Sequence, residues 1–176
     1  MTIRLGDDSM TVDVDGQHHV IPLGAVTLSS NELVSDPPRP EELTNAIGAV
    51  VDHLDDMLRA LPGAADADSV GIVGELATVI AAVEFGGDPP LPFSLQRAAA
   101  EDVFRTVATE SSTDRALNPG LPAAAVETIV AACCIVVALM RHLHLDQVHL
   151  DQIHLGQIHV DQIHVDQIHV ETAAPS

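Results

Sequence analysis

Ser69-Val70-Gly71-Ile72-Val73-Gly74-Glu75-Leu76-Ala77-Thr78-Val79-Ile80-Ala81-Ala82-Val83 decides the fold class. Ser69 to Val73 reads as a short strand, Gly74 punctuates it, and an apolar helix follows through about Val83. Upstream, Pro40-Glu41-Glu42 opens another helix, because proline suits a first turn and acids there favour the helix dipole. Leu43, Ile47, Val50, Val51, Leu54, Met57, Leu58 and Leu61 follow as one apolar stripe, and Pro62-Gly63 ends it. Ser35-Asp36-Pro37-Pro38-Arg39-Pro40 is a rigid connector that cannot be helical inside. Residues 2–28 read as strands. Thr11-Val12-Asp13-Val14-Asp15 alternates, Gly16 supplies a turn, His18 to Leu23 returns, and Gly24-Ala25-Val26-Thr27-Leu28 reads as a further strand. Downstream of Gly86-Gly87-Asp88-Pro89-Pro90, Leu95 to Thr109 reads as a helix. Asn118-Pro119-Gly120-Leu121-Pro122 is a turn before a long helix from about Ala123 to Leu143. Strands alternating with helices predict an α/β fold, a small mixed sheet with packed helices.

The 176 residues allow one domain with its own core. Aromatics make up only 2% of the chain, so Ala, Val, Leu and Ile must fill that core. Seven Arg, no Lys and 26 acids give a formal charge of −19. Such a field repels nucleic acid, anionic lipid and free polyphosphate and favours cations or basic partners; it also keeps a domain soluble. Met1 to Ser9 lacks a basic-then-apolar signal pattern, so a cytoplasmic location is expected. The longest uncharged apolar run, Thr128 to Met140, is shorter than the about 20 residues that span a bilayer, and predicts a buried helix. Cys133 and Cys134 lie adjacent within it and point apart, which predicts buried thiols rather than a disulfide or a metal pair.

Several blocks in order resemble the Ppx/GppA family of exopolyphosphatases and guanosine pentaphosphate phosphatases. Gly24-Ala25-Val26-Thr27-Leu28, Asp36-Pro37-Pro38 and Glu41-Glu42-Leu43 resemble its "G-x-V-x-L … DPP … EEL" passage. Val70-Gly71-Ile72-Val73-Gly74 with Ala77-Thr78 and Ala81-Ala82 is similar to its "VGVAGTATTLAA" block. Asn118-Pro119-Gly120-Leu121-Pro122 with Glu127-Thr128-Ile129-Val130-Ala131 resembles its "LPGLxPxRADVIVAG" helix start, and Leu143 to His149 falls where the family has a short strand. The resemblance implies half of an actin-like (ribonuclease H-like) ATPase-type fold, the second half over residues 1–143. A repeat over 144–170, which includes the last family strand, and a disordered 171–176 are expected to follow. The first half, with its own phosphate loop and catalytic glutamate, has no counterpart, which removes the expected general base.

The resemblance also locates phosphate-loop positions: Arg4, Gly6, Asp7, Asp8, Ser9, Gly71, Gly74, Glu75 and Thr78. The family's loop "DIGGGSTEL" is matched by Arg4-Leu5-Gly6-Asp7-Asp8-Ser9-Met10-Thr11-Val12. Glycines there let backbone N–H groups form an anion nest; Asp7 and Asp8 add side chains and negative charge instead. Like charges ~4 Å apart repel by about 1 kcal/mol in bulk water, and by more where solvent is excluded. The family's acid is Arg4 here and its glutamate is Thr11. Where the family has Gly-Thr, this chain has Gly74-Glu75, an acid at a helix N-terminus that otherwise suits phosphate and could itself satisfy the N–H groups. The phosphate site thus reads as closed. A competing reading has Asp7, Asp8 and Glu75 converging on a hard cation such as Mg²⁺.

From His144 the chain becomes a five-residue tandem repeat, with His144, His149, His154, His159, His164 and His169 at regular spacing and His142 beside them. On a helix these histidines fan around the axis, and on a flat strand they alternate faces. A pentapeptide coil would stack them, but the repeat amounts to little more than one coil. Duplication of the last strand is the simpler reading. Clustered imidazoles with Asp offer a site for Zn²⁺, Ni²⁺ or Cu²⁺, and the β-branched content leaves edge pairing between chains open. His18-His19 and His53 read as ordinary strand and helix residues.

The expected function is that of a degenerate, non-catalytic member of this group, a pseudoenzyme that binds or regulates. One alternative is an exopolyphosphatase or pppGpp phosphohydrolase completed by a partner that supplies the first half, or by self-association. Another is a divalent-metal-binding protein acting through the His repeat. No nucleic-acid or membrane partner is expected.

Overall fold

The computed structural model describes residues 1–151, which begin with β1 (Thr2–Leu5), β2 (Met10–Val14) and β3 (Gln17–Ile21). Asp15 and Gly16 take φ angles of 51° and 79°, both left-handed. That is the two-residue turn whose twist suits a hairpin, and it sets Val14 opposite Gln17. Next come α1 (Ala25–Glu32) and α2 (Pro40–Ala60), then β4 (Gly71–Val73) and α3 (Glu75–Phe85). They are followed by β5 (Phe93–Gln96), α4 (Arg97–Thr109), α5 (Ser112–Arg115), α6 (Ile129–His142) and β6 (Gln147–Asp151). Single tight helical turns occupy Pro62–Asp66 and Ala123–Ala125.

The six strands form one mixed sheet in the order β3-β2-β1-β4-β6-β5. β1, β4 and β6 run parallel at its centre; the β2–β3 hairpin and β5 flank them antiparallel. Register divides the sheet into two unlike faces. Ile3, Leu5, Met10, Val12, Val14, Ile21, Ile72, Leu95, Val148 and Leu150 are buried on one. On the other, Thr2, Arg4, Asp13, His18, Ser94, Gln96, Gln147 and His149 are exposed or half-buried. Among the described residues the helices therefore cover one face only.

Three sequence expectations change. Gly24 to Leu28 is not a strand: Ala25–Glu32 is α1, with Ala25 and Leu28 buried. The helix expected from Leu95 starts at Arg97, and the residues before it pair with β6 as β5. The long helix expected from Ala123 is interrupted after Ala125 and resumes at Ile129. The other elements lie within a few residues of their expected places.

Every residue from Ile129 to Met140 is buried, because α1, α2, α3 and α4 all pack against α6. Each fully buried Val, Leu or Ile contributes about 1.5–3 kcal/mol, so this helix is the chief apolar element of the core. It carries the two free thiols, and burial pushes both up, Cys134 to about 12. Thiolate is the reactive form, so neither cysteine is expected to react with a thiol reagent in the native state. Labelling should proceed at the rate of global unfolding; fast labelling at neutral pH without denaturant would show that α6 is accessible.

The connector is held at both ends. The Glu42 carboxylate accepts the Arg39 N–H at 2.9 Å, the Ser35 hydroxyl at 2.8 Å and the Ser35 N–H at 3.3 Å. These bonds, the Arg39 N–H first, hold its carboxyl below the ordinary range. Asp36 accepts the Ser112 N–H and hydroxyl and an Arg115 N–H, which ties the connector to α5.

Candidate functional site

The turn between β1 and β2 lies where the parallel strands β1 and β4 end, the usual position for a ligand crevice in an α/β sheet. Its backbone is committed to α1. The Gly6 carbonyl accepts the Ala25 N–H at 3.1 Å, and the Asp7 carbonyl accepts the Val26 and Thr27 N–H groups at 2.8 and 3.3 Å. The Asp8 carbonyl accepts the Thr27 hydroxyl at 3.3 Å. These carbonyls cap the helix N-terminus that an anion would otherwise occupy. Such contact requires Gly24, since a Cβ there would stand 2.3 Å from the Asp7 carbonyl oxygen.

Across from this turn, β4 passes through Gly74 into α3. Glu75 lies in the first turn of α3, exposed, and its carboxylate accepts no hydrogen bond among the described residues. It does not cap the helix N–H groups, as its position in the sequence had allowed; its effect there is electrostatic. Asp7 and Glu75 line one pocket of about 220 Å³, together with Thr128 and the apolar side chains of Val26, Leu76 and Val79. None of the residues lining it is basic.

The remaining positions do not join them. Asp8 stays outside the pocket, and Gly6 and Ser9 close the turn by a Gly6 N–H to Ser9 carbonyl bond of 3.2 Å. Arg4 lies on the open face of the sheet, in a groove of about 480 Å³ with Thr2, Thr11, Asp13, His18 and Val73. Arg4 and Thr11, the two replacements for family acids, are direct cross-strand partners there. Gly71 sits on the same face opposite His149. Thr78 donates its hydroxyl to the Glu75 carbonyl at 2.7 Å and lines a separate pocket of about 360 Å³ with Asp88 and Gly120.

Among the described residues no group of three His, Cys, Asp or Glu side chains is placed to hold a metal. Asp7, Asp8 and Glu75 therefore do not form the three-carboxylate cation site considered from sequence. His144, with a φ of 55°, follows α6, and His149 lies in β6 within 3.2 Å of the Ser94 hydroxyl. His154, His159, His164 and His169 lie outside the described residues. Sequence reasoning missed Thr128 and Val26 as pocket walls, and no local pattern marks them; packing of α1 and α6 brings them there. The open-face groove was foreshadowed by the period-2 alternation of residues 11–15. His18, read as an ordinary strand residue, bonds Asp13 at 2.7 Å in that groove. No described helix is long and apolar enough to cross a membrane.

No protein-family model and no curated protein matches the sequence. Solved structures do. An exopolyphosphatase-like protein matches with a TM-score of 0.77 at 16% identity, over 86% of this chain and 55% of that one. The Aquifex aeolicus PPX-GPPA enzyme matches with a TM-score of 0.74 at 18% identity, over 86% and 52%. An exopolyphosphatase from Cytophaga hutchinsonii matches with a TM-score of 0.68 at 12% identity, over 86% and 52%. The chain spans about half the length of these proteins, and over that half its fold is the actin-like fold of the Ppx/GppA phosphatases.

Proposed function

We propose that this chain is a degenerate Ppx/GppA-type module that binds or regulates and does not hydrolyse phosphoanhydrides by itself. The observation that carries this reading is the pocket at the ends of β1 and β4. Its two charged residues, Asp7 and Glu75, are both acidic, and none of its lining residues is a cation. Phosphoryl transfer depends on positioned positive charge around the transferred group. This pocket offers the opposite field. The hairpin carbonyls that cap α1 support the same reading, because they use N–H groups that could otherwise face an anion.

The expected result is no phosphate release from polyphosphate or pppGpp above background. Neutralising the pocket with Asp7→Asn and Glu75→Gln should tighten inorganic phosphate binding by about thirtyfold, measured by calorimetry, since each of the two removed charges is worth about 1 kcal/mol at ~4 Å in water. Unchanged affinity would remove the electrostatic argument.

A second reading rests on the coverage of about half of each solved relative. In it, a partner chain supplies the missing half and activity appears only in the mixture. Phosphate release on adding such a partner, and not before, would favour it over the first reading.

A further inference from the structure

The feature the proposed function leaves unused is the identity between β6 and the repeat that follows it. β6 fills the slot between β4 and β5, parallel to one and antiparallel to the other. Much of what fixes it there comes from the unit Asp146-Gln147-Val148-His149-Leu150. Asp146 takes the Arg97 guanidinium at 2.8 Å, and Gln147 bonds the Gln96 amide. His149 meets the Ser94 hydroxyl at 3.2 Å, while Val148 and Leu150 are fully buried. The backbone adds bonds that are indifferent to sequence, such as the His149 N–H to the Val70 carbonyl at 2.9 Å.

The chain then repeats this unit. Asp151-Gln152-Ile153-His154-Leu155 follows directly, and Asp161-Gln162-Ile163-His164-Val165 and Asp166-Gln167-Ile168-His169-Val170 come later. Each supplies the same acid, amide, imidazole and pair of apolar side chains. Ile153 with Leu155 carries one side-chain carbon more than Val148 with Leu150, and Ile163 with Val165 the same total, so the volume change at the slot is one methylene at most. In an ordinary strand a slip by an odd number of residues moves the apolar set to the wrong face. Here the sequence period cancels that effect, because a slip by five restores every inward and outward position. The same odd period prevents the copies from lining up as one long strand with a single apolar face, so the slot accepts one copy at a time.

We propose that the slot between β4 and β5 is a binding site for the repeated unit Asp-Gln-Val/Ile-His-Leu/Val, and that the chain's own second copy, residues 151–155, takes the slot when the first is displaced. The first copy is the resident because it is tethered closest. The Leu145 N–H bonds the Met140 carbonyl at 2.8 Å, and Leu143 and Leu145 pack on the core. Entry of the second copy loops out five residues, and that loop is free to carry polar side chains.

The test uses the full chain with Val148→Asp and Leu150→Asp, which no buried strand position accommodates. Cooperative thermal melting with native helix content should be retained, at a lowered midpoint that does not depend on protein concentration. Making the same two changes in every later copy as well should abolish cooperative melting. Equal loss in both chains would overturn the proposal. A midpoint that rises with concentration in the first chain would also overturn it, by showing that the replacing strand comes from a second molecule.

Discussion

Gly74→Ala is expected to lower stability by about 4 kcal/mol, read as a fall in the urea midpoint at unchanged slope. Gly74 has φ 132° and ψ 170°, a region that residues with a Cβ rarely enter. Sterics add to the backbone strain. A Cβ there would stand 2.5 Å from the Leu5 carbonyl oxygen, a backbone atom of the neighbouring strand. Its N–H also donates to the Asp151 carbonyl at 3.2 Å, so displacing Gly74 disturbs the ends of β1, β4 and β6 together. The contrast is Gly48→Ala inside α2, where a Cβ meets nothing within 4 Å. That change should stabilise by about 0.5–1 kcal/mol through helix propensity alone. If the two variants had the same midpoint, the close packing of β1 on the β4–α3 turn would be wrong.

Arg115→Ala should destabilise by about 3 kcal/mol, because it removes a nearly buried guanidinium with its bonds to two carbonyls and to the exposed Asp36. Arg115 is only 4% exposed. Its Nη1 donates to the Glu110 carbonyl at 2.6 Å and the Val107 carbonyl at 3.2 Å, and its Nη2 to Asp36 at 3.1 Å. Its Nε finds no acceptor among the described residues, a cost the other bonds must outweigh. Truncation leaves two carbonyls without their donor and a void under α5. The network also sets an acid limit. The Ser112 N–H first, then its hydroxyl, with a smaller share from Arg115, hold the Asp36 carboxyl below 3.8. A depressed native pKa adds stability that is present above the unfolded value and is lost as pH falls through the native one. In urea melts from pH 7 to pH 2, the chain should lose this contribution below about pH 4. The Arg115→Ala variant should lose less over that range, since part of the coupling is already gone. An unchanged acid limb would show that Asp36 and Arg115 are not coupled.

The residues that announced the fold did so through period and punctuation. Gly16, Pro40 and the glycine at 74 each impose a local geometry strong enough to survive any packing. Val26-Thr27-Leu28 misled because β-branched residues favour strands, whereas the hairpin carbonyls above α1 and the buried contact of Leu28 favour a helix. Phe93–Gln96 was invisible as a strand because four residues carry too little pattern, and β6 supplies the pairing. At the site, Asp7 and Glu75 were legible through their match to phosphate loops. Arg4 was not, because alternation turns it to the face opposite Leu5. Thr78, three residues beyond Glu75 and close to it on the helix surface, nevertheless lines a different cavity, because the 86–92 connection and Gly120 pack beside it. No sequence rule joins residues as remote as Val26 and Thr128; only the packed helices do.

The order of strands in the sheet has a consequence for how the chain comes to be folded. The hairpin of β2 and β3 closes on its own as soon as residues 10–21 exist, since its turn spans only two residues. β1 can join that hairpin through β2, but its other edge must wait for β4, some seventy residues later along the chain, and β4 must wait as long again for β6. The three central strands thus come from the beginning, middle and far end of the described chain. Pairings of such separation must lose loop entropy before contacts compensate, which makes folding slow for a domain of this size. During synthesis the apolar face of the sheet stays incomplete until the first repeat unit has emerged. For that interval Ile3, Ile72 and the buried side of α6 lack their final cover, and this is when the chain is most exposed to association with other nascent chains.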